Sequence, residues 1–176
     1  LMRSCAKLTY DGVARALGFD PESPQSAQAE AMVEDLRVLQ ELTEKLRKNR
    51  MARGALDLNL PEARVVLDEK TGAPIEAKKR DTPPGLKRAY SLVEEMMLLA
   101  NELVAQWLDE KRAPAIYRVH GKPDEEKLER LGSIVEELNL KISTDDLMEP
   151  LGASKFLSRI QKHERKHVLE MLMLRS

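Results

Sequence analysis

The sequence predicts a helix-dominated α+β fold with one short β-hairpin, and three observations carry that prediction. Apolar residues recur at spacings of three and four through most of the 176-residue chain. Alternating or short apolar runs suited to strands are confined to residues 56–67, 74–77 and 115–120. The composition is 42% apolar and 34% charged but only 3% aromatic, which reads as soluble, globular and helix-rich rather than disordered.

The first element is a short helix, "LTYDGVARAL", stopped by Gly18. A polar linker with two prolines, "GFDPESPQS", follows. A long helix is then expected from about Ala27 to Met51, with Met32, Leu36, Leu39, Leu42 and Leu46 on one stripe. It ends in a basic stretch, "LRKNRMARG", and the pattern changes at Gly54 to the alternation of Leu56, Leu58 and Leu60. Such a change of period predicts a sharp turn into a strand. The next stretch reads as a hairpin, Ala63–Leu67 and Pro74–Ala77 around a turn holding Gly72.

After the break "DTPPG", a third helix from Leu86 to about Lys111 carries an apolar face wide enough to predict a central helix contacted on several sides. "AIYRVH" reads as a short strand, Asp124 as the N-cap of a fourth helix, and Ser154 to the end as a fifth. No internal repeat is visible.

A net charge of −1 means that bulk electrostatics do not advertise nucleic acid, so any such role must rest on local patches. The single Cys5 excludes a disulfide framework and a cysteine-based zinc site, and it fits a reducing cytoplasm. No apolar run reaches transmembrane length, so no membrane partner is expected, and no signal peptide is expected either. The chain opens on "LMRSCAKL" and stops on the unclosed apolar helix "VLEMLMLRS", which predicts a piece of something larger.

Three features could carry chemistry. "HERKH", His163 to His167, matches H-E-x-x-H, the helical zinc motif with Glu as general base. Its surroundings argue against zinc: Lys162, Arg165 and Lys166 make the segment cationic, and Glu170 is the only following acid, at a poor spacing for a third ligand. Two basic clusters, Lys45, Arg47, Lys48, Arg50, Arg53 and Lys78, Lys79, Arg80, Lys87, Arg88, could neutralise phosphates. They equally resemble solvated helix ends, where cations favour the C-terminal dipole. Glu94 and Glu95, with Asn101 and Glu102, lie on the most apolar helix; any that point inward need partners. No Ser-His-Asp set, glycine-rich phosphate loop or spaced carboxylate pair is present.

Read in order, "AKLTYDGV", "LRKNRMARGALDLNLPEARVVLDEKTGAPI", "AYSLVEEMMLLANELVAQWL" and "APAIYRVHGKPDEEKLERL" resemble the middle of the RNB catalytic domain of the ribonuclease R / ribonuclease II family. The resemblance covers residues 6 to 176, and its most specific parts are "RGALDL…PEA", "EEMMLLAN" and "YRVHGKPD…KL". It implies a single partial domain over residues 1–176, part of a processive hydrolytic 3′→5′ exoribonuclease. Such an enzyme threads single-stranded RNA into a narrow channel and releases nucleoside monophosphates with Mg²⁺.

It also implies that the metal-holding aspartate cluster lies upstream and the catalytic arginine downstream, so no catalytic residue or metal ligand is expected in this chain. Three substrate-binding roles carry over by resemblance. Tyr10 matches the tyrosine of "LTY" near the RNA path. Leu58 occupies the place where the family usually has an aromatic that stacks on the 3′ base; leucine keeps the apolar contact and loses the π-face. Glu95, of the pair Glu94-Glu95, matches an acid close to the terminal nucleotide. Tyr90 departs from the family, which often has His there. A helical RNA-binding or protein-interaction module without catalysis is the alternative from a different class.

Overall fold

The computed structural model describes residues 3–58, 62–80, 82–119, 121–140 and 142–176. Helices dominate, and among the described residues the strands form one two-stranded antiparallel sheet. The elements are α1 (Tyr10–Ala16), α2 (Ala27–Ala31), α3 (Val33–Ala52), β1 (Glu62–Leu67), β2 (Pro74–Arg80), α4 (Pro84–Glu110), α5 (Glu125–Glu137), α6 (Thr144–Met148), α7 (Pro150–Ile160) and α8 (Lys166–Arg175). They form two compact units, one of residues 1–48 and 82–116, the other of residues 49–81 and 117–176.

The first unit packs α1 and α2 with the start of α3 and the first half of α4. Its core holds Val13, Ala14, Ala29, Leu36, Ala89 and Leu92, with Leu8, Leu17, Phe19 and Leu39 packed on them. Ala14 and Ala89 are essentially inaccessible. With only a methyl at each place, α1 and α4 are free of side-chain bulk where they touch. The expected helix from Ala27 is interrupted at Met32, whose N–H donates to Ala29 O three residues back (3.2 Å) with φ −110° and ψ 15°. That tight turn lets Ala29 enter the core before the helix resumes.

α4 starts at Pro84, because proline's fixed φ suits the first helical turn and its missing N–H costs nothing there. Its buried residues are Gly85, Ala89, Leu92 and Glu95, all in its first half. Met97, Leu103, Val104 and Trp107 remain more than half exposed. Within this unit and among the described residues, the second half of the helix is therefore not enclosed on several sides.

The second unit is organised on α5, α7 and α8. Leu128, Leu131 and Val135 of α5 fall on one stripe and meet Leu147, Phe156, Leu157, Ile160, Leu169 and Met173. Phe156 is 2% exposed, a burial whose truncation costs about 3–5 kcal/mol in comparable cores. Asp124 caps α5 as expected, accepting from Lys127 N–H (3.2 Å). The expected fifth helix is broken in two at residues 161–165, and α6 before it has no counterpart in the sequence reading.

Two expected strands are missing. Residues 55–58 run without strand structure, Leu60 lies outside the described residues, and the ladder begins only at Glu62 opposite Arg80. Residues 115–119 of "AIYRVH" are also irregular, with Ile116 and Val119 exposed to solvent, and His120 is outside the described residues. Both have strand-like sequence, but among the described residues neither has a partner strand to supply ladder hydrogen bonds. The hairpin is present, longer in β2 than expected, with a bulge between Val66 and Leu67. At its turn Asp68 accepts from Thr71 Oγ1, Thr71 N–H and Lys70 N–H, bonds that hold its carboxyl below the usual carboxylate range.

The handover at Gly54 is a helix stop of a definite kind. Gly54 N–H donates to Met51 O (3.0 Å) and Ala55 N–H to Arg50 O (3.2 Å), the paired bonds of a Schellman ending. Gly54 has φ +97°, and a Cβ there would lie 2.7 Å from Leu151 N and Pro150 C. Only glycine meets both the left-handed backbone and the close approach of the α7 start. Gly18 ends α1 with φ +71° but has nothing within 4 Å of its virtual Cβ.

A buried charge sits on α8. Glu170 is fully buried, and neither carboxylate oxygen has a hydrogen-bond partner. Lys166 Nζ stands 3.8 Å from Oε1 and His167 Nδ1 3.4 Å from Oε2. A carboxylate desolvated this far gains less from such long ion pairs than it loses in hydration.

Two stability predictions follow from these geometries. Gly18→Ala should cost about 1–2 kcal/mol in urea unfolding, the left-handed penalty alone. Gly54→Ala should cost clearly more, because its methyl meets backbone; equal losses would show that the α7 contact is unimportant. Glu170→Leu should raise the urea midpoint, because it removes a buried carboxylate without hydrogen bonds while Lys166 keeps its bond to Gln161. A lower midpoint would mean that the ion pairs, not the burial, dominate at this position.

Candidate RNA-facing site

The first unit holds two of the three residues singled out from the sequence, Tyr10 and Glu95. α1 begins at Tyr10 because Thr9 is extended (φ −108°, ψ 152°) and its Oγ1 accepts from Gly12 N–H (3.2 Å). That cap sets Tyr10 on the first turn, 40% exposed. Its ring lies 4.3 Å, centroid to centroid, from the ring of Tyr90 on α4, with the planes at 56°. Tyr90 was notable in the sequence only as a departure from the family pattern; its contact with Tyr10 is long-range and left no local signal.

Glu95 lies on α4 five residues after Tyr90. It is 3% exposed, whereas Glu94 beside it is open to solvent. The helical period explains the difference: Leu92 and Glu95 share the inward face, and Glu94 is turned about 100° away. Arg47 of α3 meets Glu95, with Nη1 3.7 Å from Oε1, and is itself partly exposed. The inward carboxylate thus has the cation it needs. The basic run of α3 hinted at a partner, but spacing alone could not select Arg47 from its neighbours.

The basic clusters are partly committed elsewhere. Arg88 lies over the Phe19 ring, 4.0 Å from its centroid, and its Nη2 is 3.7 Å from Glu44 Oε1. Lys78 pairs with Glu76 across 3.1 Å. A cation–π contact and exposed ion pairs like these hold side chains in place at about 0.5–1 kcal/mol each. They subtract from the positive charge open to phosphates.

The third residue, Leu58, belongs to the second unit. It is half-buried and packs on the core that contains Leu128 and Phe156. What it can offer a ligand is the part of its side chain not spent on that core.

"HERKH" does not have the geometry of a helical zinc motif. α7 ends at Ile160 and α8 begins at Lys166, so His163 stands in the turn between them and His167 on the following helix. His163 Nδ1 accepts from Arg165 N–H (3.1 Å), closing that turn. The two imidazoles are therefore not one turn apart on a common helix. His167 instead faces Glu170. For the Mg²⁺ that the family resemblance implies, the described residues offer no group of three or more His, Cys, Asp or Glu side chains able to hold a metal ion. The described residues therefore do not fit the metal.

Comparison with known proteins gives one consistent family. The RNB domain family model matches residues 1–176. Ribonuclease R of Aquifex aeolicus (strain VF5) is 32% identical over 176 residues, all of this chain and 24% of that protein. Ribonuclease R of Escherichia coli (strain K12) is 29% identical over 177 residues, again all of this chain and 21% of its own length. Among solved structures, the apo form of Mycoplasma genitalium RNase R superposes with TM-score 0.75 at 26% identity, over 94% of this chain and 25% of that one. The same enzyme in complex with double-stranded RNA gives TM-score 0.74 at 26% identity, over 94% and 28%. The chain spans about a quarter of the length of these relatives. With its family model matched from the first residue to the last and the same fold in RNase R, this chain belongs to the RNB domain family.

Proposed function

We propose that this chain is part of a processive hydrolytic 3′→5′ exoribonuclease that acts on single-stranded RNA in the cytoplasm and releases nucleoside 5′-monophosphates. The observation that carries the reading is the RNB match over residues 1–176. The fold likeness to an RNase R solved with double-stranded RNA supports an RNA ligand. No helix among the described residues is long and apolar enough to cross a membrane.

Within that enzyme the 176 residues act as scaffold and as wall of the RNA channel. Tyr10 lies along the RNA path. Leu58 supplies an apolar contact to the 3′-terminal base. Glu95, buried and held by Arg47, accepts a hydrogen bond from the terminal nucleotide. The aspartate cluster that holds Mg²⁺ and the catalytic arginine come from outside these residues. The exposed apolar side of α4, with Met97, Val104 and Trp107, is covered there by other parts of the protein.

Digestion of 5′-labelled single-stranded RNA with Mg²⁺ tests this. The complete gene product should shorten the RNA to a small end product, and the 176-residue chain alone should not. Glu95→Gln should slow the complete protein about 10- to 150-fold, the worth of a hydrogen bond to a charged group, while Glu94→Gln stays within about twofold. Equal effects of the two substitutions would remove Glu95 from the site. No cleavage by the wild-type protein would favour the binding-module reading instead.

A further inference from the structure

The chain is poor in rings: one Trp, three Tyr and two Phe in 176 residues. Phe156 fills the second core, and Phe19 lies under Arg88. Tyr10 and Tyr90 do neither. They meet ring to ring, and both remain more than one-third exposed, at 40% and 36%. Around them the first core is built of aliphatic side chains, Val13, Ala14, Ala89 and Leu92. Filling that core does not require two tyrosines with open faces.

The planes stand at 56°, so the rings do not cover one another's faces as a stacked pair would. Both rings have their backbones fixed. Tyr10 starts a capped helix, and Tyr90 follows Ala89, which is 1% exposed, on the second turn of α4. A rigid, half-exposed aromatic surface is the feature on which unpaired bases stack, whatever their identity.

We propose that Tyr90, together with Tyr10, forms a two-ring platform that stacks one unpaired base of the RNA, with Tyr90 as a second binding residue. The inference rests on the exoribonuclease reading for its ligand class. On this account the tyrosine at position 90 supplies π-surface in a protein whose residue 58 is leucine.

Single-stranded RNA 12-mers carrying 2-aminopurine at successive positions would be titrated into the complete gene product in Mg²⁺-free buffer. With the wild-type protein, one position should show strong quenching of 2-aminopurine emission. Tyr90→Phe should keep both quenching and affinity. Tyr90→Leu should lose the quenching and weaken binding about 5- to 150-fold. Binding and quenching unchanged in Tyr90→Leu would overturn the platform while leaving the exoribonuclease reading intact. Absence of RNA binding by the wild type would bring down that reading and the platform with it. Should Tyr90→Leu fail to fold, photocrosslinking of 4-thiouridine RNA to the wild-type protein decides. Adducts on the peptides containing Tyr10 or Tyr90 support the platform, and adducts only elsewhere overturn it.

Discussion

A carboxylate inside a helix interface has to be met by a cation, and in the first unit that requirement falls on Glu95 and Arg47. Removing a carboxylate from water costs several kcal/mol even after relaxation, and apolar packing around it offsets none of that cost. Glu95 is on the face of α4 that also carries Ala89 and Leu92, so it is buried as a consequence of the helical period. Arg47 meets it from α3, with Nη1 3.7 Å from Oε1, while Leu36 and Leu39 of the same helix pack on the first core. Small residues do the rest, since Ala14 and Ala89 free the α1–α4 contact of side-chain bulk and so allow Tyr10 to reach Tyr90.

Helix endings form the second constraint. α1, α3, α4 and α5 all close with the same pair of backbone bonds, six residues and four residues spanned, at Gly18, Gly54, Arg112 and Asn139. Glycine or asparagine adopts the left-handed backbone easily; Arg112 does so at φ 50° and at some cost. These stops fix where the four helices end. At Gly54 the stop also permits the close approach to Pro150 and Leu151, which ties the segment after α3 to the start of α7. Leu58, four residues on, packs on the second core accordingly.

Much of the fold was legible because the signals were local. Apolar spacing marked α4 and α5, Asp124 announced a cap, Gly18 and Gly54 announced stops, and the Gly72 hairpin had a turn signal between two short runs. Strand-like alternation at 56–58 and in "AIYRVH" misled, because pattern reports only that a segment could pair, and pairing needs a partner elsewhere in the chain. "HERKH" misled in a similar way. Its spacing suits a helix, but the His163 side chain instead closes a turn on Arg165. Of the site, the inward direction of Glu95 was readable as a possibility from the polarity of an otherwise apolar helix. Its partner Arg47 and the ring contact of Tyr90 depend on long-range packing, which no window of sequence records.

The central claim is that the first unit, through the start of α1 and the middle of α4, faces RNA. Hydrogen–deuterium exchange of the complete gene product, with and without single-stranded RNA in Mg²⁺-free buffer, addresses it directly. The account predicts slowed exchange on binding in peptides spanning residues 9–13 and 88–96. Slowed exchange confined to peptides of α5 to α8, with those two segments unchanged at saturating RNA, would contradict it.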